Sequence, residues 1–214
     1  MVAFVQEMVM VHRVFRRELR LLPPLIRRVR PNDAVRLAVL ADAVDDLLLG
    51  LHVHHTGEDE LLWPTLLSRV PLEKALISRM HGQHEQVAVH VEAATKLLTQ
   101  WRGTGDAADG GRLADALDDL AIALGEHLTE EEQHILPLAE RHLTEREWAM
   151  LGQHGLAAMG RARALMTLGA ILEDATPRER AQFLHTVPRP ARIAWYLVGR
   201  RRYREAMRRR RDVA

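Results

Sequence analysis

The chain has 214 residues, of which 47% are hydrophobic, so it is long enough to bury the core of one domain and an extension. It contains no cysteine, which excludes disulfide bonds, thiolate metal sites, iron–sulfur clusters and thiol nucleophiles. The net charge of +1 conceals an uneven distribution, because the residues from Arg189 onward carry about +8.

The beginning of the chain bears on its location in the cell. Residues 1–13 lack the basic-then-apolar order of a signal peptide. No apolar run approaches the ~18 residues that a membrane-spanning helix needs. The sequence therefore predicts a cytoplasmic protein.

The first two long segments repeat their apolar residues in steps of three and four, which is typical of core-facing helices. The first covers residues 4–29, and Pro23-Pro24 is expected to kink or interrupt it. The second runs from Ala34 to Arg69, and Asp33 is a suitable capping residue before it.

Two more segments complete the predicted core. Pro71 opens the third, since proline is tolerated in the first helical turn. The Gly- and Asp-rich residues 103–111 are predicted to form a loop, and the fourth segment follows from Arg112 to about His142. The sequence therefore predicts an all-α fold, with an up-down-up-down four-helix bundle in residues 1–142.

The pattern changes in residues 143–214. Capping boxes at Thr144–Glu147 and Thr176–Glu179 open further helices, and the first of these is expected to break near Gly155–Gly160. A basic helix then extends to about Arg211. Since no histidine or carboxylate lies on a core seam here, we assign these residues to a C-terminal helical extension that packs or docks.

One motif occurs in both the second and the fourth segment. His54 is followed by Glu58, and His127 by Glu131, at the same four-residue spacing, and a proline stands ten residues after each His. A four-residue step places two side chains on one helical face. Both pairs lie on otherwise aliphatic seams, where ionisable groups are costly to bury unless they are paired or bind a metal.

The first and third segments each carry one histidine on a core seam. His12 follows Met8 by four residues, and His84 follows Met80 by four, so the two halves of the bundle resemble each other. Residue counts from the four histidines to the connecting turns differ by on the order of 3–5 Å of helix. All four histidines are therefore predicted to lie at one level.

These positions place four imidazoles and two carboxylates in the middle of the bundle. Nitrogen and oxygen ligands of this kind suit two iron or manganese ions, which the carboxylates can bridge. The alternative is a set of buried His–Glu pairs without metal. The predicted metal ligands are His12, His54, Glu58, His84, His127 and Glu131.

The ordered combination resembles the hemerythrin-like family of HHE cation-binding domains, in its bacterial form with a C-terminal helical extension. The resemblance covers about residues 4–142 and is carried by His12, His54-x3-Glu58 with Leu62-Trp63-Pro64, Gln83-His84, and His127-x3-Glu131-Glu132 with Ile135-Leu136-Pro137. It implies a non-haem di-iron centre bridged by Glu58 and Glu131. It also implies that the histidines bind in pairs, His12 with His54 and His84 with His127.

The chain departs from the oxygen-carrying members at Met80, where they have a histidine. A thioether is a poor ligand for oxidised iron, so that iron is expected to lose a protein ligand or to recruit water or His81. The fourth segment spaces its carboxylate at four residues rather than the carriers' five, which leaves Glu132 as an alternative to Glu131. His55 falls on a flank of its helix, where a solvated or supporting role is expected, and it is a secondary candidate ligand.

Three functions are compatible with these observations. The first is a di-iron protein that binds or reacts with O2, peroxide or NO at an open coordination position, with peroxide-decomposing or oxygen-reactive activity included. The second is a metal-dependent sensor, scaffold or iron-homeostasis protein that signals through its C-terminal helices without turnover. The third is a metal-free bundle that acts only through its basic end.

That basic end combines aromatic and arginine residues, in Trp195–Val198, Arg200–Arg204 and Arg208–Arg211. The composition is compatible with an anionic membrane, a nucleic acid or a partner protein. A solvated end, or one that docks on the acidic surface of the bundle itself, is the commonest case for such a composition.

Overall fold

The computed structural model describes residues 5–211, without the side chains of residues 161 and 162. Within these residues the chain is helical and contains no strand, so the predicted all-α class is confirmed. Residue 4 of the first predicted segment and residues 212–214 of the extension lie outside the described part. No helix among the described residues has the length and apolarity needed to cross a membrane.

The helices are closely spaced along the chain, and several are separated by single tight turns. A short 3₁₀ turn at Pro71–Glu73 precedes α4. In chain order the helices are α1 (Gln6–Ile26), α2 (Ala34–Gly57), α3 (Trp63–Arg69), α4 (Lys74–Thr104), α5 (Ala107–Glu130), α6 (Leu136–His142), α7 (Glu145–Glu173), α8 (Pro177–Thr186), α9 (Arg189–Ala194) and α10 (Arg200–Arg211).

Three π-helical turns join consecutive helices into longer rods. They lie at Glu58–Leu62 between α2 and α3, at Glu131–Ile135 between α5 and α6, and at Trp195–Gly199 between α9 and α10. The first two rods form the bundle together with α1 and α4. In this bundle α1 packs on α2 and α5, and α4 packs on the same two helices from the other side.

The bundle core consists of two apolar layers. One contains fully buried leucines such as Leu40, Leu51 and Leu117, and the other contains Leu62 and Leu66. Burial of each such side chain stabilises the fold by about 1.5–3 kcal/mol relative to exposure. The extension packs on the outside, with α7 against α1 and α2 and α10 against α7.

The predicted interruption of the first helix is absent, and the predicted loop at residues 103–111 is shorter than expected. Helix α1 continues through Pro23 and Pro24, because Leu22, Leu25 and Ile26 around them are buried in the core and this packing outweighs the lost hydrogen bonds. The predicted loop at residues 103–111 is confined to two residues between α4 and α5.

Glycine geometry explains the short connection. Gly105 ends α4 in the left-handed conformation, with φ of 68°, which glycine adopts without steric cost. Gly110 is instead a helical residue of α5, and a Cβ there would lie 2.9 Å from Nε1 of the buried Trp101. Its missing side chain therefore serves close packing of α5 on α4.

The predicted starts of the later helices are confirmed. Thr144 with Glu147 and Thr176 with Glu179 form complete capping boxes. Helix α7 is interrupted at Gly160, whose φ of 71° and ψ of 164° are non-helical.

Substitution of the neighbouring residues Gly110 and Gly111 tests the close packing of α5 on α4 at Trp101. We expect Gly110→Ala to destabilise the protein by about 1–3 kcal/mol, because Trp101 must move. A Cβ added at Gly111 would have no atom within 4 Å, so Gly111→Ala should stabilise the protein by about 0.5–1 kcal/mol through helix propensity. Urea unfolding of the two variants measures the difference, and equal midpoints would contradict the account.

Candidate metal centre

Each His–Glu motif ends in a π-helical turn that begins at its glutamate. The amide of Trp63 donates to the carbonyl of Glu58, and the amide of Leu136 donates to the carbonyl of Glu131. The next residue is proline in both cases, and proline has no N–H and crowds the carbonyl four residues before it. The sequence thus favours one extra residue in the turn, a feature found frequently at functional sites.

The structure brings the six predicted ligand residues together between the two apolar layers. Their side chains are between 0% and 9% exposed. Ligand atoms within 4.8 Å of one another form two groups that share Glu58. The first group is His12, His54, Glu58 and Glu131, and the second is His55, Glu58, His84 and His127.

Glu58 lies between the two groups. Its Oε1 is 3.4 Å from Nε2 of His54, and its Oε2 is 3.4 Å from Nε2 of His84. Each oxygen of one carboxylate therefore faces a different group, as a bridging ligand requires.

One oxygen of Glu131, which belongs to the first group, also lies near a histidine of the second. Its Oε2 is 3.2 Å from Nε2 of His12 and 3.8 Å from Nε2 of His127.

In the second group the Nε2 atoms of His84 and His127 are 3.2 Å apart. Two nitrogens at about 2.1 Å from one ion and at right angles would be separated by about 3 Å, so this spacing fits a shared cation.

The buried polar atoms at this centre test whether a metal fits. Seven of them have no hydrogen-bond partner among the described residues, and leaving such an atom unpaired costs about 1–3 kcal/mol. All seven are nitrogen or oxygen atoms of types that bind iron or manganese. They are Nε2 of His12, His54 and His55 and both carboxylate oxygens of Glu58 and Glu131.

Burial keeps three of the rings neutral. It lowers the pKa of His54 and His55 well below the ordinary value and the pKa of His127 to about 4. Burial acts in the same direction on His12 and His84, but neighbouring carboxylates outweigh it and raise their pKa to about 9. A cation at the centre would replace those two protons.

The two carboxylates are coupled through their proximity. Burial and the charge of Glu131 raise the pKa of Glu58. Burial alone would raise the pKa of Glu131 as well, but positive charge on His12 lowers it. Without a cation, Glu58 therefore gives up its proton at higher pH than an ordinary glutamate, and Glu131 gives up its proton at lower pH.

The outward nitrogens of three histidines are held by polar side chains. Such support fixes the ring so that its other nitrogen points inward, as is typical of metal-ligating histidines. Nδ1 of His12, His84 and His127 lies 2.8 Å from Glu132, 2.9 Å from Asp59 and 3.2 Å from Gln83, respectively. Glu132, the predicted alternative to Glu131, thus lies behind His12 and in neither group.

Of the two roles expected for His55, the solvated one is wrong. Its side chain is buried, and its ring stacks on that of His84 with centroids 4.0 Å apart. The neighbouring His54 faces the other way, with its ring 5.2 Å from that of His12. The consecutive residues His54 and His55 of α2 therefore belong to different groups. Their adjacency in the sequence is the feature that could have indicated a role for both.

Met80 and His81 lie outside both groups. Met80 is fully buried in the apolar layer that contains Met8 and Trp63. The side chain of His81 is 56% exposed, and its Nδ1 lies 3.1 Å from Asp59. Among the described residues, the third histidine beside His84 and His127 is therefore His55.

The fold and this interior define a helical-bundle protein with a centre suited to metal cations. The family model for the hemerythrin HHE cation-binding domain matches residues 3–139. The match covers more than half of the chain, so the chain belongs to the hemerythrin HHE family. Membership implies binding of metal cations, typically iron. No match to a curated protein or to a solved structure was found.

Adjacent acids on one π turn provide a test of the supporting contacts. We expect Asp59→Ala to weaken Mn²⁺ binding about 10–100-fold, because His84 loses the partner that orients its ring. Glu60→Ala is the matched control, since Glu60 is exposed and its contact with His154 is 3.9 Å long. Electron paramagnetic resonance of free Mn²⁺ gives both affinities, and an equal loss in the two variants would refute a specific role of Asp59.

Proposed function

We propose that the chain binds two non-haem iron ions at this centre and that the loaded protein binds or reacts with a small oxidant, namely O2, peroxide or NO. The supporting observation is the division of the buried ligand atoms into two groups that share Glu58. Manganese has similar ligand preferences and is the alternative metal.

The proposed ligand sets follow the two groups. Glu58 would bridge the ions, and Glu131 would complete the group of His12 and His54. His55 would join His84 and His127 and so provide the ligand that the sequence lacks at Met80. Four protein ligands on each side leave positions for a small molecule when the metal prefers six.

The surrounding side chains determine what can reach the centre. Phe15 lies 5.2 Å from the ring of His54, and Trp63 lies 5.5 Å from the ring of His84. Because the ligand side chains are almost completely buried, a bulky organic substrate has no room beside them. When bound, an iron pair would supply one- or two-electron chemistry to a molecule of diatomic or peroxide size.

The metal content tests the ligand sets. Protein purified without a histidine tag and loaded with iron should contain about two ions per chain. His55→Ala should reduce this to about one, because its group keeps only His84, His127 and the shared Glu58. His52→Ala, an exposed histidine on the same helix, should retain both ions. Elemental analysis decides, and full occupancy in His55→Ala would exclude His55 as a ligand.

Reaction with peroxide tests the function. Iron-loaded protein should decompose peroxide with release of O2, and His127→Ala should lower the rate at least about 100-fold through loss of a ligand. His134→Ala is the control, because His134 is an exposed residue of the second π turn. Oxygen-electrode traces and the optical spectrum report the reaction.

An iron-loaded protein that holds two ions but neither binds nor reacts with O2, peroxide or NO would contradict the proposed oxidant chemistry. It would favour the sensor or iron-homeostasis alternative. One contact supports that alternative, since α7 packs on the rod that carries Glu58. A Cβ at Gly57 would lie 3.2 Å from the His154 ring of α7, so the helix approaches closely there. Hydrogen exchange that slows in α7 on metal loading, without turnover, would identify this function.

A further inference from the structure

The segment 189–211, here called the basic helix, uses one face to dock on the rest of the chain. Trp195, Tyr203 and Met207 on this face are buried with Leu168 and Leu172 of α7. Apolar packing thus fixes the basic helix to the fold.

Polar contacts reinforce the docked face. Arg210 lies 3.1 Å from Glu18 of α1, and Arg211 lies 2.8 Å from Glu173 of α7. The hydroxyl of Tyr203 donates to Glu173 at 2.6 Å. Ion pairing with bundle and α7 carboxylates therefore accounts for two of the ten arginines of the basic helix.

The opposite face is apolar in its first half and exposed. Ile193, Tyr196 and Leu197 are 59%, 55% and 76% exposed, and Val198 beside them is also exposed. Tyr196 and Leu197 follow Ile193 by three and four residues, so these three side chains are neighbours on the helix surface and form one patch. Nothing in the described part of the chain covers it.

Arginines surround the patch along the chain. Glu205 is the single acid between residues 189 and 211, and it pairs with Arg201 at 2.8 Å. The guanidinium of Arg200 lies 5.8 Å from the ring centre of Tyr196. Seven arginines of the basic helix are exposed to solvent, namely Arg189, Arg200, Arg201, Arg202, Arg204, Arg208 and Arg209.

We propose that this face binds the surface of an anionic lipid bilayer, with Ile193, Tyr196 and Leu197 at the boundary between headgroups and acyl chains. Exposed arginines beside exposed apolar residues are the combination that interfacial helices use. A nucleic acid would satisfy the arginines through its phosphates, but it offers no apolar phase to aliphatic side chains. The docked face stays on the bundle, so the whole protein would lie peripherally on the membrane.

Vesicle sedimentation with the full chain tests the proposal. Vesicles of phosphatidylcholine with about 30% phosphatidylserine should sediment the protein, and vesicles of phosphatidylcholine alone should do so at least about tenfold less. Raising NaCl from about 0.05 M to about 0.5 M should weaken the binding, because salt screens the arginines.

Two double variants separate the apolar and the charged contributions. Tyr196→Ser with Leu197→Ser, and Arg200→Gln with Arg204→Gln, should each reduce the partition coefficient at least about tenfold. The matched controls alter equally exposed residues elsewhere and should bind like the parent. They are Val89→Ser with Ile122→Ser, and Arg141→Gln with Arg146→Gln.

Circular dichroism should show the parental helix content in all four variants, since only exposed side chains change. The proposal is overturned if the parent ignores anionic vesicles at low salt, or if the serine variant binds them like the parent. It is also overturned if duplex DNA binds more tightly than the vesicles and the serine variant retains that affinity, which would identify a nucleic-acid surface.

Discussion

Ionisable groups inside an apolar helix bundle must be neutralised where they lie, and this constraint governs the middle of the structure. Glu58 and Glu131 are fully buried, yet none of their four oxygens accepts a hydrogen bond from the described residues. His12, His84 and His127 cannot turn their outward nitrogens towards these oxygens, because those nitrogens already contact Glu132, Asp59 and Gln83. Protons on the rings and on one acid can balance the charge, but seven inward nitrogen and oxygen atoms still have no hydrogen-bond partner among the described residues. Cations would satisfy charge and coordination together, which is why metal binding explains the layer better than isolated His–Glu pairs do.

The same layer depends on local backbone chemistry. Pro64 and Pro137 favour the π-helical turns that begin at Glu58 and Glu131. The two glutamates therefore occupy corresponding positions in their rods. The apolar layers on either side of the centre then fix the positions of the rods along the bundle axis. The same π turn beyond a His–Glu motif occurs in α2–α3 and in α5–α6. This agrees with the internal repeat of the sequence and explains how two halves build one centre.

The sequence predicts the features that depend on periodicity. Spacing along the seams was enough to place His12, His54, His84 and His127 at one level and to define the long helices. It failed where tertiary packing decides. Gly110 reads as a loop residue until Trp101 is known to lie against it. His55 is an off-seam residue on an ideal helix, and only the approach of α4 turns it into a neighbour of His84. Asp59, Gln83 and Glu132 carry no periodic signal at all, because their role is to hold a ring from behind.

The extension is joined to the bundle by more than a covalent link. Arg17 of α1 is buried, and it donates to Glu18 at 3.0 Å and to Asp174 after the end of α7 at 2.5 Å. Removal of a partner from a buried charge is costly, so a boundary drawn at residue 142 separates the motifs but not the packing. Arg17 lies five residues from His12 on the same helix, and Arg210 binds the adjacent Glu18. Helix α1 therefore carries one predicted ligand and, through Glu18, also one of the ion pairs that hold the basic helix.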